Sequence, residues 1–265
     1  MKTLFVNTRL RVAFLLATIW IVYLFFHFTP QVFLLPLFSI VLVVFFDLLV
    51  TYIRKRTFYL ASSSLVTGFL IGLILSPTEG LWIFVFACAL AVLSKQCISF
   101  GAHKHIFNPA ALGIFTTSLL FGVPVAWWAV SWSPWVILII ISIFYTLYRL
   151  RRLWLPITFL SVYVLYFFII ENRIVYSSFF DGTVFLFAFI MLPEPITSFA
   201  IGKWKYMFGP LVAVFAIVLG NLQTLPDVFL PALLLGNLIG FLAKHHKRLL
   251  KNFTGKVQLS VLGVK

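Results

Sequence analysis

Charged residues and cysteine are scarce in this sequence, and each scarcity excludes a class of protein. Only 10% of the 265 residues are charged, and 6 of them are acidic, whereas about 25% charged residues is usual in a soluble domain. Two cysteines, Cys88 and Cys97, are too few for a disulfide scaffold or for a cluster held by four thiolates of one chain. No phosphate-binding G-x-x-x-x-G-K-[ST] loop, Ser-His-Asp arrangement or metal-ligand spacing is present, so we predict neither catalytic nor metal-binding residues.

Apolar and aromatic residues are in excess: 63% of the chain is hydrophobic, and 32 residues are Phe. A transmembrane helix needs about 20 apolar residues to cross about 30 Å of hydrocarbon. Such runs predict an all-α polytopic membrane protein with about ten transmembrane helices. The first run follows basic residues as in a signal peptide, but no cleavage site of small residues follows it, and we count it as a span. The predicted spans are Val12–Phe28, Val32–Ile53, Leu60–Leu75, Leu81–Leu93, Pro109–Val123, Trp135–Tyr148, Trp154–Ile170, Thr183–Leu192, Tyr206–Leu222 and Val228–Ala243.

The basic residues indicate how these spans are oriented. With the N-terminus in the cytoplasm, the segments predicted inside hold 19 of the 20 Lys and Arg residues, and Arg173 is the one outside. Because Lys and Arg are enriched in cytoplasmic loops, both termini are predicted to be cytoplasmic. The net charge of +14 is therefore an orientation signal. The basic tail is also expected to contact anionic membrane lipid, and nucleic acid is not an expected partner.

The acidic residues fall into different environments. Asp47 lies inside the second span, where an ionisable residue is costly and often functional. Two interpretations of Asp47 stay open: a residue of an ion path, or a carboxylate paired with the cluster Arg54–Arg56. Four other acids lie in loops predicted outside, where a solvated surface is the expected environment: Glu79, Glu171, Asp181 and Asp227.

The two halves of the chain carry similar breaks in their apolar runs. A proline-containing break follows Gly68–Gly72 in the first half and Phe187–Met191 in the second, and two spans later Asn108–Gly113 corresponds to Leu230–Asn237. Five spans in each copy would turn the second copy upside down. Broken helices at matching positions of an inverted repeat form substrate sites near the membrane midplane. The predicted units are a first repeat, a second repeat and a basic cytoplasmic tail, at 1–125, 126–243 and 244–265.

Four motifs follow one another along these spans. They are Thr67-Gly68 with Leu75-Ser76-Pro77, Lys104-His105-Ile106-Phe107-Asn108-Pro109-Ala110, Pro193-Glu194-Pro195-Ile196-Thr197, and Leu225-Pro226-Asp227. They resemble the T-G-x-x-x-x-x-x-L-P-P, K-N-x-x-N-P-A, T-D-P-V-T and Y-P-D-G motifs of one membrane family. That family contains the D subunit of the Rnf complex and the B subunit of the sodium-pumping NADH:quinone oxidoreductase. The resemblance covers nearly all ten spans.

The resemblance implies a flavin-binding electron-transfer subunit, and not a complete enzyme, in a complex that couples NADH or ferredoxin oxidation to Na⁺ or H⁺ movement. It implies a bacterial cytoplasmic (inner) membrane, with other membrane and cytoplasmic subunits as partners and quinone as a further candidate. A buried flavin needs apolar walls and a few polar groups. The residues assigned to flavin are Thr67, Gly68, Lys104, His105, Asn108, Pro109, Gly113 and Asn237. The residues assigned to an ion path are Asp47, Glu194 and Thr197.

The sequence also departs from the family pattern. In the family, a Thr of an S-G-A-T-like motif, in a long loop after the fifth span, carries covalent FMN. The connection 122–134 is short and has no such Thr. We therefore expect riboflavin or FMN bound without a covalent bond, in a pocket between the helix break at Asn108-Pro109 and its counterpart at Pro231–Asn237. His105 stands in place of the first Asn of the K-N-x-x-N motif, and Glu194 in place of the Asp of the T-D-P-V-T turn.

Two other functions stay open at this point. Inverted folds of five plus five helices also serve permeases for small solutes or vitamins. The third alternative is a structural membrane anchor for a cytoplasmic reductase. The absorption spectrum of the purified protein separates the flavin-binding function from both alternatives.

Reporter tags at residue 1, at residue 265 and near Arg173 test the predicted topology. We expect the two terminal tags to report the cytoplasm and the third to report the outside, because the basic loops stay inside. Reporters that are active on one side of the membrane make the measurement. A terminus found outside would contradict the ten-span interpretation.

Overall fold

The computed structural model describes residues 8–57, 62–99, 105–130, 136–170, 182–198 and 204–261, in which the regular secondary structure is helical and β-pairing is limited to two isolated bridges. Each predicted span overlaps one helix, except that Thr183–Leu192 overlaps a short α-helix and the π-helix after it, so the prediction of an all-α chain is confirmed over these ranges. The helices are α1 Thr8–Phe26, α2 Pro30–Lys55, α3 Ser62–Ile74, α4 Leu81–Cys97, α5 Pro109–Phe121, α6 Val136–Arg149, α7 Trp154–Ile170, α8 Gly182–Leu186 with a π-helix Phe187–Met191, α9 Trp204–Leu222 and α10 Phe229–Val261.

The helices differ in length in a way that matters for a membrane. Among the described residues, α1, α2 and α9 are long and apolar enough to cross a bilayer. Residues of α6 and α7 are long and apolar enough only when taken together. They make up at most one further span, which is broken by a bend of 119° between the two helices. The other apolar helices are shorter. The 13 residues of α3 reach about 20 Å at 1.5 Å per residue, against about 30 Å of hydrocarbon.

Helices α2 and α3 pack closely because α3 presents two glycines to α2. A Cβ atom on Gly68 would lie 2.5 Å from Cα of Ile40, and one on Gly72 would lie 2.5 Å from Cα of Pro36. Small residues four apart allow two helix backbones to approach in this way. Gly68, which the resemblance assigned to flavin, therefore lies at a helix contact.

The end of α3 is satisfied by the segment that follows α5. A short helix that ends inside a membrane leaves backbone carbonyl groups without partners. Ala126 N and Trp127 N donate to the Ile74 carbonyl at 2.9 and 3.0 Å, and Trp128 Nε1 donates to the Leu75 carbonyl at 2.9 Å. The segment after α5 thus supplies hydrogen-bond donors to the last carbonyl groups of α3 and of the residue after it.

The second half has its own break at the π-helix Phe187–Met191. Leu192 N donates to the Phe187 carbonyl at 2.9 Å, which is the i to i−5 bond of this wider turn. The following Pro193 has no N–H and cannot continue the helix. The π-helix residues are all buried, so the break lies inside the protein.

Helix contacts repeat between the halves. In the first half α1 packs on α3, α2 on α3 and α4, and α4 on α5. In the second half α6 packs on the π-helix, α7 on the π-helix and α9, and α9 on α10. Among the described residues, the main contacts between the halves are α1 with α6 and α5 with α10. Each of these joins two helices at the same position of the two halves.

Alanine at Gly68 or Gly72 is expected to destabilise the protein. The added Cβ would overlap the backbone of α2, which cannot rotate away, and overpacking costs about 1–3 kcal/mol. Gly220→Ala is the matched control, because no atom lies within 4 Å of its Cβ position. The measurement is the thermal unfolding midpoint in detergent. An unchanged midpoint for both α3 variants would contradict the close packing of α2 and α3.

Candidate functional site

The start of α5 is formed by Asn108 and Pro109. The Asn108 Oδ1 accepts a hydrogen bond from Ala111 N at 3.0 Å, so Asn108 is the N-cap of the helix. Pro109 occupies the first helical position, where no N–H donor is needed. Within the described residues no acceptor contacts Asn108 Nδ2. The cap therefore leaves an amide donor available at the helix start.

Asn237 joins this cap to the second half. Its Oδ1 accepts from Asn108 N at 3.0 Å, and its Nδ2 donates to the Thr197 carbonyl at 3.2 Å. The prediction that Asn237 lies at a helix break is wrong, since α10 begins at Phe229 and Asn237 lies inside it. Pro231 does not break α10, because it falls in the first turn, where no helical N–H bond is required.

A cavity lies beside the start of α5. It has a volume of about 800 Å³ with open solvent included, and its walls come from α1, α3, α5, α6 and the segment from Phe189 to Ile196. Most of the wall is apolar. The polar residues in the wall are Thr8, Arg9, Ser63, Thr67, Asn108, Thr146 and Glu194.

The cavity contains some of the residues predicted from the sequence and not others. Thr67, Asn108, Pro109 and Glu194 line it. None of its lining residues comes from α10, so the wall expected from Pro231–Asn237 is formed instead by the π-helix and the turn after it. Gly113 packs against α4, where a Cβ would lie 2.5 Å from the Ala87 carbonyl oxygen. Lys104 lies outside the described residues.

Arg152 holds the turn that carries Glu194. Its guanidinium donates to the carbonyl groups of Pro193 and Glu194 at 3.5 Å, to that of Pro195 at 3.3 Å, and to Ser198 Oγ. Burial lowers the pKa of Arg152, and the Glu194 carboxylate acts in the opposite direction. One half-buried cation thus bonds to the carbonyl groups of all three residues of the Pro-Glu-Pro sequence.

The Glu194 carboxylate points towards two side chains. Thr197 Oγ1 donates to its Oε2 at 2.9 Å. His105 Nε2 lies 3.6 Å from its Oε1, which is within ion-pair distance and longer than a hydrogen bond. The structure therefore brings together His105, Glu194 and Thr197, which come from both halves of the chain.

Asp47 is the centre of a second polar cluster. It is 3% exposed and pairs with Lys95 Nζ at 2.9 Å. Ser64 Oγ donates to the same oxygen at 2.6 Å, and Gln96 Nε2 donates to the other oxygen at 2.7 Å. Of the two interpretations left open for Asp47, pairing with Arg54–Arg56 is wrong, because the partner is Lys95, on α4. Arg54 instead donates to the Gln96 carbonyl.

Asp227 is buried, contrary to the solvated surface expected for its loop. Leu230 N donates to one carboxylate oxygen at 2.7 Å and Trp127 Nε1 to the other at 3.0 Å. Burial raises the pKa of Asp227, although both hydrogen bonds act in the opposite direction. The carboxylate therefore caps the start of α10 and holds the connection after α5, at the end of the molecule opposite Glu194.

Comparison with known proteins supplies the family. Residues 3–134 match the NQR2, RnfD, RnfE family, a segment that spans helices α1 to α5. The chain belongs to this family. Together with its long apolar helices, this membership identifies an integral membrane protein. A comparison with curated proteins found no match.

The family motifs contain some residues of the site, but they do not contain Lys95 and Arg152. Lys95 and Arg152 were counted from the sequence as cytoplasmic charges that set the orientation. A buried acid requires a base nearby, so Asp47 signalled that a partner exists without identifying Lys95. No sequence pattern pointed to Arg152, which bonds to backbone carbonyl groups and to Ser198 Oγ.

Lys95→Met is expected to destabilise the protein strongly. It leaves the Asp47 carboxylate buried without its cation, and removal of one partner of a buried ion pair costs about 3–5 kcal/mol. The double variant Asp47→Leu, Lys95→Met removes both charges and should recover much of that loss. Thermal unfolding in detergent measures both. Equal destabilisation by the single and double variants would contradict a coupled pair.

Proposed function

We propose that this chain is the flavin-binding electron-transfer subunit of a bacterial inner-membrane complex of the Rnf or Nqr type. Riboflavin or FMN would be held without a covalent bond in the cavity beside the start of α5. The observation that carries the proposal is a mostly apolar cavity at the start of α5, lined by Asn108, whose Nδ2 has no acceptor among the described residues. Family membership supplies the class of complex.

The cavity wall suits a flat aromatic ring with one polar edge. Leu15, Leu70, Ile143 and Phe189 supply apolar surface. Asn108 offers an amide donor. Thr67 Oγ1 donates to the Ser63 carbonyl at 3.0 Å and can still accept a hydrogen bond. A flavin needs these two kinds of contact from a protein, and it supplies the redox chemistry itself when bound.

Electrostatics at the cavity favour electron-rich ligands. The N-terminus of α5 carries a partial positive charge equivalent to roughly half a unit. Arg9 also lines the cavity, as does Glu194 on the turn after the π-helix. The residues of the chain would therefore bind and orient the ring, and the dipole of α5 would stabilise added negative charge.

An inverted repeat of five plus five helices is part of the proposal. It is supported by the packing of α1 on α6 and α5 on α10, as a two-fold axis relating the halves requires. It is also supported by helix breaks at the ends of α3 and of the π-helix. With the predicted topology the cavity would lie on the cytoplasmic side, since Thr8, Ser63, Leu150 and Glu194 border segments predicted inside.

Ion coupling is proposed for the turn at Glu194. Glu194 and Thr197 supply oxygen atoms beside the cavity, at the point where a cation or proton would enter from the cytoplasm. We do not include Asp47 in this path, since both its oxygens are already bonded to Lys95, Ser64 and Gln96. Other subunits of the complex, quinone and anionic lipid are the proposed partners.

Asn108→Asp tests the flavin site. Aspartate keeps the oxygen that caps α5 and removes the Nδ2 donor, and a lost buried hydrogen bond costs about 1–3 kcal/mol. We therefore expect riboflavin to bind roughly 5- to 150-fold more weakly. Quenching of riboflavin fluorescence on titration into detergent-purified protein measures the affinity. Asn221→Asp is the control, since Asn221 bonds to Tyr166 away from the cavity.

The same preparation separates the alternatives. Acid denaturation should release all the yellow colour, and colour left on the chain would overturn the noncovalent claim. A protein that is colourless and cannot be reconstituted with riboflavin or FMN would end the proposal. Accumulation of labelled riboflavin inside proteoliposomes would support a vitamin permease instead.

A further inference from the structure

His105 carries a buried nitrogen atom without a hydrogen-bond partner among the described residues. The side chain is 4% exposed, and Nε2 is one of the few buried polar atoms left without a hydrogen bond there. Its nearest charged neighbour is Glu194 Oε1 at 3.6 Å. Buried polar groups are nearly always bonded, and an unsatisfied one requires an explanation.

The chemistry of the two groups defines what this contact can hold. A carboxylate only accepts hydrogen bonds, and a neutral imidazole has one donor and one acceptor nitrogen. Nε2 therefore faces Glu194 favourably only when it carries a proton. Since histidine is the side chain whose charge ordinarily changes between pH 5 and 8, proton binding at His105 would strengthen the contact.

The contact connects the start of α5 to the turn after the π-helix, and both border the cavity. His105 precedes the α5 cap by three residues, and Glu194 lies in the cavity wall on the turn after the π-helix. Among the described residues, the other charged groups around it are Arg152, bonded to the backbone of this turn, and Arg9, in the same cavity wall. Lys95 on α4 interacts electrostatically with Glu194 and with Arg9, but its amine is held by Asp47.

We propose that His105 and Glu194 form a redox-linked proton-binding pair, in which His105 takes up a proton when electrons are added at the cavity. The inference rests on the proposed function, because it requires a redox group there. The electrons come from a donor subunit, or from dithionite in a test, and the proton comes from water. The proton stays on Nε2, facing Glu194 Oε1, and no bond to the flavin forms or breaks at either residue.

The physical reason is charge compensation in a poorly solvated site. Added electrons make the cavity more negative, and interactions between charges are stronger there than in water. Arg9 and Arg152 are already charged and cannot respond, since a guanidinium does not lose or gain a proton in proteins. His105 can respond. The family motif has Asn at this position, which cannot bind a proton, so the inference concerns this chain in particular.

The test is the midpoint potential of bound riboflavin as a function of pH. One extra proton for each two electrons adds about 30 mV per pH unit to the slope. We expect the wild type to show this steeper region and His105→Asn to lack it. His105→Asn restores the family residue and keeps a polar side chain. Glu194→Gln removes the carboxylate and should also lose or displace the steeper region.

The outcomes separate this inference from the proposed function. Equal slopes for wild type and His105→Asn, with flavin bound to both, would overturn the proton-binding pair and leave flavin binding intact. No flavin on the wild type would overturn both. If His105→Asn does not fold, Glu194→Gln decides, and a wild-type slope in that variant would contradict the inference.

Discussion

The structure depends on one constraint: in a hydrocarbon environment every backbone N–H and C=O group needs a partner within the protein. Continuous helices meet it by themselves, and broken helices do not. The chain contains several breaks, and each is completed by residues distant in sequence. Ala126, Trp127 and Trp128 complete the end of α3, and Arg152 completes the turn after the π-helix.

The hydrogen bonds that satisfy broken helices also bring polar groups together at the site. The cap at Asn108, the amide of Asn237 and the carbonyl of Thr197 form one chain of hydrogen bonds between the two halves. Buried carboxylates also need partners within the protein. Asp47 is buried because Lys95 and two neutral donors satisfy it, and Asp227 is buried because it caps α10 and receives the Trp127 indole. Asn108 Nδ2 and His105 Nε2, which have no hydrogen-bond partner among the described residues, both lie at or beside the cavity.

Much of the fold could be predicted because its causes are local in sequence. Runs of apolar residues correspond to helices one for one, and Pro109 after Asn108 marked a true helix start. The same reasoning failed at Pro231, where a proline in a first turn looks identical to one at a break. It also failed at Asp47. The sequence places Arg54–Arg56 nearby along the chain, but the packing of α4 against α2 makes Lys95 the partner. Whether side chains from α1, α3, α6 and the π-helix enclose one cavity depends on how the helices associate, which no local pattern encodes.

The sequence by itself determined the class of protein, the number of helices, the family motifs and the residues Thr67, Asn108, Pro109 and Glu194 of the cavity wall. These follow from hydropathy, helix capping and motif order, which act over a few residues. Only the tertiary structure decided that Asn237 lies within α10, that Lys95 neutralises Asp47, that Arg152 holds the Glu194 turn and that His105 faces a carboxylate. Each of these contacts joins residues from separate helices or loops, and close packing of the helices, not spacing along the chain, brings their atoms together.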